Sequence, residues 1–217
     1  MRYKVVIFDL DGTLLNTLED IGNSCNKGSK VFGFTTHPIE VYGYFVGDGS
    51  RKLIERATNL DTKDPMIDCM LSSFKDVYTK DLISKTALYD GIPELLDGLE
   101  KEGVILGIVS NKIHAFLLSC AEEYLSSWSF AKILGEREGI PPKPSPDAVF
   151  EIIESLHVTP KEVLFVGDTK TDMKTARNAK VDSCGVLWGF RDRKELEDHS
   201  ATYIIEKPEE LLAIVKG

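Results

Sequence analysis

At 217 residues, with 42% hydrophobic and 28% charged content, the chain has the make-up of one globular domain, or of one domain carrying a modest insertion. Lys plus Arg total 26 against 35 Asp plus Glu, and the net charge of −9 argues against broad attraction to nucleic acid or to an anionic membrane. No apolar stretch approaches the length that spans a bilayer.

Val5–Phe8 is a short apolar run that suits a strand buried on both faces. The chain enters it within four residues of Met1, which leaves no room for a signal peptide and makes the cytoplasm the expected compartment. Helical patterns follow at Leu18–Phe32, Ser50–Thr58 and Pro65–Ser84, with no convincing central strand among them. A turn-rich stretch, Ala87 to Pro93, returns the chain to a strand-helix alternation. The helix Pro93–Lys101 precedes a strand at Val104–Val109, and the helix His114–Tyr124 precedes a strand at Phe130–Leu134 that Lys132 interrupts. A helix at Pro146–Leu156, a strand at Val163–Val166, a helix at Thr171–Ala179 and strands at Ser183–Leu187 and Tyr203–Ile205 complete the pattern. The expected fold is therefore α/β, a doubly wound parallel sheet, with residues 16–85 as a helical insertion and residues 1–15 and 86–217 as the core. Cys25, Cys69, Cys120 and Cys184 show no C-x-x-C or zinc spacing and are expected as reduced, mostly core-filling thiols.

In open α/β sheets, ligands sit at the carboxyl ends of the strands. Four polar groups fall there: Asp9-Leu10-Asp11-Gly12-Thr13, then Ser110-Asn111, then Lys143, then Gly167-Asp168 with Asp172 four residues on. A buried carboxylate is costly without a partner, and a second one two residues away raises the cost unless a cation relieves it. A divalent cation beside Asp9 would keep it ionised and usable as a nucleophile, while Asp11, displaced from the metal, could act as general acid and then base. Gly12 removes a Cβ where backbone must approach a phosphate, and Thr13 offers it a hydroxyl and an N–H. The Ser110 hydroxyl and the Asn111 backbone can donate to phosphoryl oxygens. Lys143, set between prolines, presents an ammonium that offsets phosphoryl charge. Asp168 with Asp9 supplies the hard oxygens that Mg²⁺ prefers, and Asp172 either completes the acidic face or holds Lys143. Taken singly, each group has a plainer reading as a turn, loop or helix cap. Their joint order along the sheet favours a site.

The set DLDGT, Ser110, Lys143 and GDTKTD resembles the four motifs of the haloacid dehalogenase superfamily of phosphohydrolases, over essentially the entire chain. The resemblance implies Asp9 as the nucleophile that becomes an aspartyl-phosphate and Asp11 as general acid/base. It implies Ser110 and Lys143 as phosphoryl ligands, and Mg²⁺ held by the Asp9 carboxylate, the Asp11 carbonyl and Asp168. The insertion matches a C1-type cap that closes over the site and excludes water. Asp11 sets the chain apart from the dehalogenases, which lack the second aspartate, and the Asp-x-Asp pair from the phosphonatases.

In the insertion, a Gly-x-Gly-Ser turn (Gly47–Ser50) opens a helix followed by Arg51 and Lys52. This resembles the phosphoglycolate phosphatase group and implies that Arg51 reaches a substrate carboxylate. The triplet Ser110–Lys112, the stretch Glu136–Gly139 and the stretch Gly185–Phe190 also look like that group. The expected partner is a small phosphorylated metabolite, most simply 2-phosphoglycolate. Pyrophosphatase, 5′-nucleotidase and sugar-phosphate phosphatase activities stand as alternatives. From another class, a receiver-like signalling module is disfavoured because its acceptor lies after the third strand. A dinucleotide-binding domain is disfavoured because no G-x-G-x-x-G follows the first strand. The expected assembly is a monomer or homodimer.

Overall fold

The structure, a computed structural model, describes residues 1–217. It opens with β1 (Val5–Phe8) and β2 (Leu15–Asn16), followed by four helices: α1 (Leu18–Val31), α2 (Ile39–Phe45), α3 (Ser50–Thr58) and α4 (Met66–Asp81). β3 (Ala87–Leu88) returns the chain to α5 (Ile92–Lys101), β4 (Ile105–Ile113), α6 (His114–Tyr124), β5 (Phe130–Glu136) and α7 (Asp147–Leu156). The last third holds β6 (Val163–Gly167), α8 (Lys170–Ala179), β7 (Asp182–Val186), α9 (Arg193–Asp198), β8 (Tyr203–Ile205) and α10 (Glu210–Lys216).

Six strands form one sheet in the order β5-β4-β1-β6-β7-β8, and every pairing is parallel. β1 is central because its four residues are all apolar and can be buried on both faces. Val6 and Phe8 pack with Leu95, Leu99 and Leu117 of α5 and α6 on one side. Val5 and Ile7 pack with Val149, Ile152 and Ala176 of α7 and α8 on the other. That alternation makes the sheet doubly wound, as the short apolar runs imply. Successive strands leave β1 in opposite directions, to β4 and β5 on one side and to β6, β7 and β8 on the other, so the crevice that binds ligands lies beyond β1.

Lys132, which interrupts the apolar run of β5, lies on the edge strand and pairs with Glu151 at 3.0 Å. A charge is tolerated there because the edge is only partly covered, and it discourages strand addition. The stretch read as a turn contains β3, which pairs antiparallel with β2 through Leu15–Leu88 and Asn16–Ala87. Two residues of pairing carry no period of their own, so the ribbon is invisible locally. β4 runs to Ile113, beyond the apolar run, because an irregularity in its pairing with β5 lets Ser110, Asn111 and Lys112 continue in extended form. α2, α9 and α10 have six or seven residues each, too short to show a helical period.

α1 to α4 occupy the interval between β2 and β3, and the ribbon is the stem on which they leave and rejoin the sheet. Asp20 of α1, almost fully buried, fastens the stem by accepting hydrogen bonds from Lys85 N (3.0 Å), Thr86 N (2.8 Å) and Thr86 Oγ1 (2.8 Å). No helix is long and apolar enough to cross a membrane. Replacing Asp20 with Ala would leave those donors unmatched, and we expect a loss of roughly 3 kcal/mol in urea unfolding monitored by circular dichroism.

Candidate active site

The sheet brings Asp9, Lys143, Asp168 and Asp172 to one point beyond the carboxyl ends of β1 and β6. Asp9 directly follows β1 and is registered by its own N–H, which donates to Val166 O of β6 at 2.9 Å. Lys143 Nζ lies 3.0 Å from Asp9 Oδ2 and 2.7 Å from Asp172 Oδ1. The other Asp172 oxygen accepts from Thr169 N (3.0 Å) and Thr169 Oγ1 (2.7 Å), closing a capping box at the start of α8. Asp172 is thereby occupied as the brace of Lys143. Its companions, Asp9 and Asp168, have carboxylates within 4.8 Å of one another and of Asp172.

Asp168 is fully buried, and its neighbours are shaped to admit it. Its oxygens accept from Thr13 Oγ1 (3.3 Å) and Phe190 N (2.7 Å). Gly12 has φ +84°, and a Cβ there would stand 2.4 Å from Asp168 Oδ2. A Cβ at Gly189 would stand 2.3 Å from the Asp168 Cβ. Gly12 is therefore required by its left-handed backbone and by the closeness of Asp168. The Thr13 hydroxyl is likewise spent on Asp168.

Charge in this pocket is unbalanced. Burial pushes the Asp9 carboxyl up to about 6, with Lys143 pulling it down and Asp172 and Asp11 pushing it further up. Burial, then Asp172 and Asp9, hold Asp168 well above the usual carboxylate range. Burial alone would lower Lys143, but Asp172 and Asp9 outweigh it and keep the ammonium charged. Three buried carboxylates facing one ammonium, all with hard oxygen donors, fit a divalent cation.

Ser110 and Asn111 lie on β4 beside this cluster and line a cavity of about 50 Å³ together with Asp9 and Asp11. The Asn111 side chain is a fastener: Oδ1 accepts from Lys143 N (2.7 Å), and Nδ2 donates to Lys143 O (3.0 Å) and to Gly47 O of the insertion (3.1 Å). The insertion is docked over the cavity by further contacts. Thr171 Oγ1 donates to Asp48 at 2.6 Å, and the buried Arg191 guanidinium donates to Gly43 O and, at 2.9 Å, to Val46 O.

Arg51 does not join the site. Its guanidinium donates to Asp68 Oδ1 (2.6 Å) and to Thr62 O (3.2 Å), its side chain is 43% exposed, and it does not border the cavity. An ion pair within the insertion places it on the outer surface, away from the cavity that Asp9 and Asp11 border. A residue with no assigned role takes part instead. Lys112 Nζ donates to Asp11 Oδ1 (2.9 Å) and to Tyr78 Oη of α4 (2.7 Å). Lys112 lies beyond the apolar run that ends at Val109, so its burial has no local mark; only the continuation of β4 demands a partner for it, since lysine is almost never buried unpaired.

The comparisons with known proteins bear on this arrangement. The family model for haloacid dehalogenase-like hydrolases matches residues 6–186. The chain belongs to that family. It is 33% identical to a phosphoglycolate phosphatase of Mesorhizobium japonicum, over 89% of this chain and 86% of the other. It is 29% identical to an N-acetylmuramic acid 6-phosphate phosphatase of Pseudomonas aeruginosa, over 99% and 96%. A crystal structure from Lactobacillus delbrueckii subsp. bulgaricus, provisionally assigned as a phosphoglycolate phosphatase, superposes with a TM-score of 0.93 at 31% identity, covering 99% of both chains. The protein is a phosphoric monoester hydrolase of the haloacid dehalogenase-like family.

Lys143 is the hub of the cluster. Lys143→Met would leave Asp9 and Asp172 buried without their counter-ion, and we expect thermal and urea unfolding to report a loss of roughly 3 kcal/mol or more.

Proposed function

We propose that this phosphatase hydrolyses a small phosphate monoester, 2-phosphoglycolate, through an aspartyl-phosphate on Asp9, with Mg²⁺ as cofactor. The observation that carries the chemistry is Asp9 itself: a carboxylate at the mouth of the topological crevice, 3.0 Å from a braced ammonium, sharing one cavity with a second carboxylate, Asp11.

The Asp9 carboxylate attacks phosphorus; an O–P bond forms and the ester P–O bond breaks. Asp11 gives its proton to the departing alkoxide. A water then attacks the phosphorus of the aspartyl-phosphate, Asp11 takes the proton from that water, and Asp9 is regenerated as inorganic phosphate leaves. Lys143 and the Ser110 hydroxyl hold the phosphoryl oxygens, and Asn111 keeps the Lys143 loop at the required height. Mg²⁺, held by the Asp9 carboxylate, the Asp11 carbonyl and Asp168, would supply positive charge against the phosphoryl oxygens. We read residues 16–85 as a cap and residues 1–15 and 86–217 as the core, with the cap docked to exclude water during the first step. A cytoplasmic enzyme acting on a soluble metabolite is consistent with the absence of any membrane-length apolar helix.

The choice of substrate is supported by relatives named as phosphoglycolate phosphatases.

Phosphate release over a panel of 2-phosphoglycolate, pyrophosphate, nucleoside monophosphates and sugar phosphates tests the reading. We expect 2-phosphoglycolate to lead by roughly a hundredfold in kcat/KM and EDTA to abolish release. Equal rates across the panel would remove the substrate assignment and leave the chemistry intact. Asp9→Asn is expected to abolish turnover in a protein that still folds, and Asp11→Asn to cost roughly three powers of ten or more; rates near wild type in either would refute the mechanism. Mg²⁺ added after EDTA treatment should raise Tm by roughly 5 °C, and Asp168→Asn should lose most of that rise.

A further inference from the structure

With Arg51 turned away, the far end of the substrate needs another partner. Lys112 is the one basic side chain that borders the cavity. Its side chain is 4% exposed, and its ammonium is held between Asp11 and Tyr78 at the wall of the cavity. An ammonium has three N–H donors, and Lys112 spends two, on Asp11 Oδ1 and on Tyr78 Oη. The third has no protein acceptor. Tyr78 Oη accepts from Lys112, so its own O–H is also left without a protein acceptor. Two adjacent buried donors therefore border one cavity, and unmatched buried donors are costly.

Their position selects the ligand. If Asp11 protonates the ester oxygen, it stands within hydrogen-bond reach of it, and Lys112 Nζ stands 2.9 Å from Asp11. The ammonium then lies within roughly 6 Å of the ester oxygen. A carboxylate one carbon beyond that oxygen falls in reach of both donors, whereas one displaced by a sugar ring does not. Leu53, Phe74 and Phe116 wall the same cavity and keep it poor in water, which strengthens an ion pair formed there.

We propose that Lys112 and Tyr78 form a carboxylate subsite and are the residues that select short phosphorylated acids. This rests on the phosphatase reading above. Lys112 comes from the core and Tyr78 from the insertion, so the subsite is complete only while the insertion is docked.

The test compares kcat/KM for 2-phosphoglycolate with that for 2-hydroxyethyl phosphate, in which a neutral hydroxymethyl group replaces the carboxylate. Wild type is expected to prefer the acid by roughly a hundredfold or more. Lys112→Met should shrink that ratio at least roughly thirtyfold, Tyr78→Phe several-fold, and Lys112→Arg should keep more of the preference than Lys112→Met. Arg51→Ala should leave the ratio as it is. Should Lys112→Met depress both substrates equally, the residue acts only through Asp11 and the subsite is overturned. A wild type that hydrolyses both esters equally well also overturns the subsite while sparing the phosphatase reading, whereas turnover of neither, with phosphate released from another ester of the panel, removes the subsite together with the 2-phosphoglycolate assignment. If the variants do not fold, inhibition of the wild type decides: 3-phosphonopropionate should bind at least roughly thirtyfold more tightly than propylphosphonate, and equal inhibition overturns the proposal.

Discussion

The structure is organised around a concentration of buried negative charge. Asp9, Asp168 and Asp172 meet beyond the carboxyl ends of two neighbouring parallel strands, with a single ammonium, Lys143, among them. Such a cluster is unstable by itself, and the surrounding chain is arranged to tolerate it. Thr169 takes one oxygen of Asp172, Phe190 N and Thr13 take those of Asp168, and Asn111 anchors the main chain of Lys143 on both sides. Gly12 and Gly189 stand where any side chain would strike Asp168. The charge that remains is what makes the place suitable for a cation and a phosphoryl group, because both are attracted to groups already desolvated and fixed.

The insertion is part of the same physical object. Its apolar residues Ile21, Leu53, Ile54 and Phe74 belong to one contiguous cluster of 36 buried residues that also holds Val6, Leu106 and Leu164 of the sheet. It therefore has no independent core in this docked arrangement, and its position is set partly by burial shared with the sheet. Polar contacts then fix its register: Asp48 with Thr171, Gly47 with Asn111, Tyr78 with Lys112, and the carbonyls at the end of α2 with Arg191. Each of these core residues lies close to the acidic cluster in sequence or in space. Docking of the helices and completion of the cavity are one event.

Much of the core was legible because its signals are local. Val5–Phe8 and Val163–Val166 are apolar at every position, which is what a strand covered on both faces demands, and the acids and glycines that follow them mark where those strands end. The four groups of the site could be ordered along the sheet for the same reason. The side-chain partners of Thr13 and Asn111, Asp168 and the Lys143 loop, could not be read locally, because they lie more than 30 residues away in Asn111's case and 155 in Thr13's. The β2–β3 ribbon and the short helices α9 and α10 escaped because two, six or seven residues hold too little of any period.

By itself the sequence determined the class of fold, the place of the insertion and the identities of the acids and the lysine at the sheet edge, since each follows from residue type and from spacing along a single element. The tertiary structure alone decided what those residues touch. It turned Arg51 outward to Asp68, assigned Asp172 to Lys143, and brought Lys112 and Tyr78 together from two parts of the chain beside Asp11. The physical reason is that an ion pair or a buried hydrogen bond is made by proximity in space, and a side chain on the surface of a helix carries no local mark of which neighbour will be folded against it.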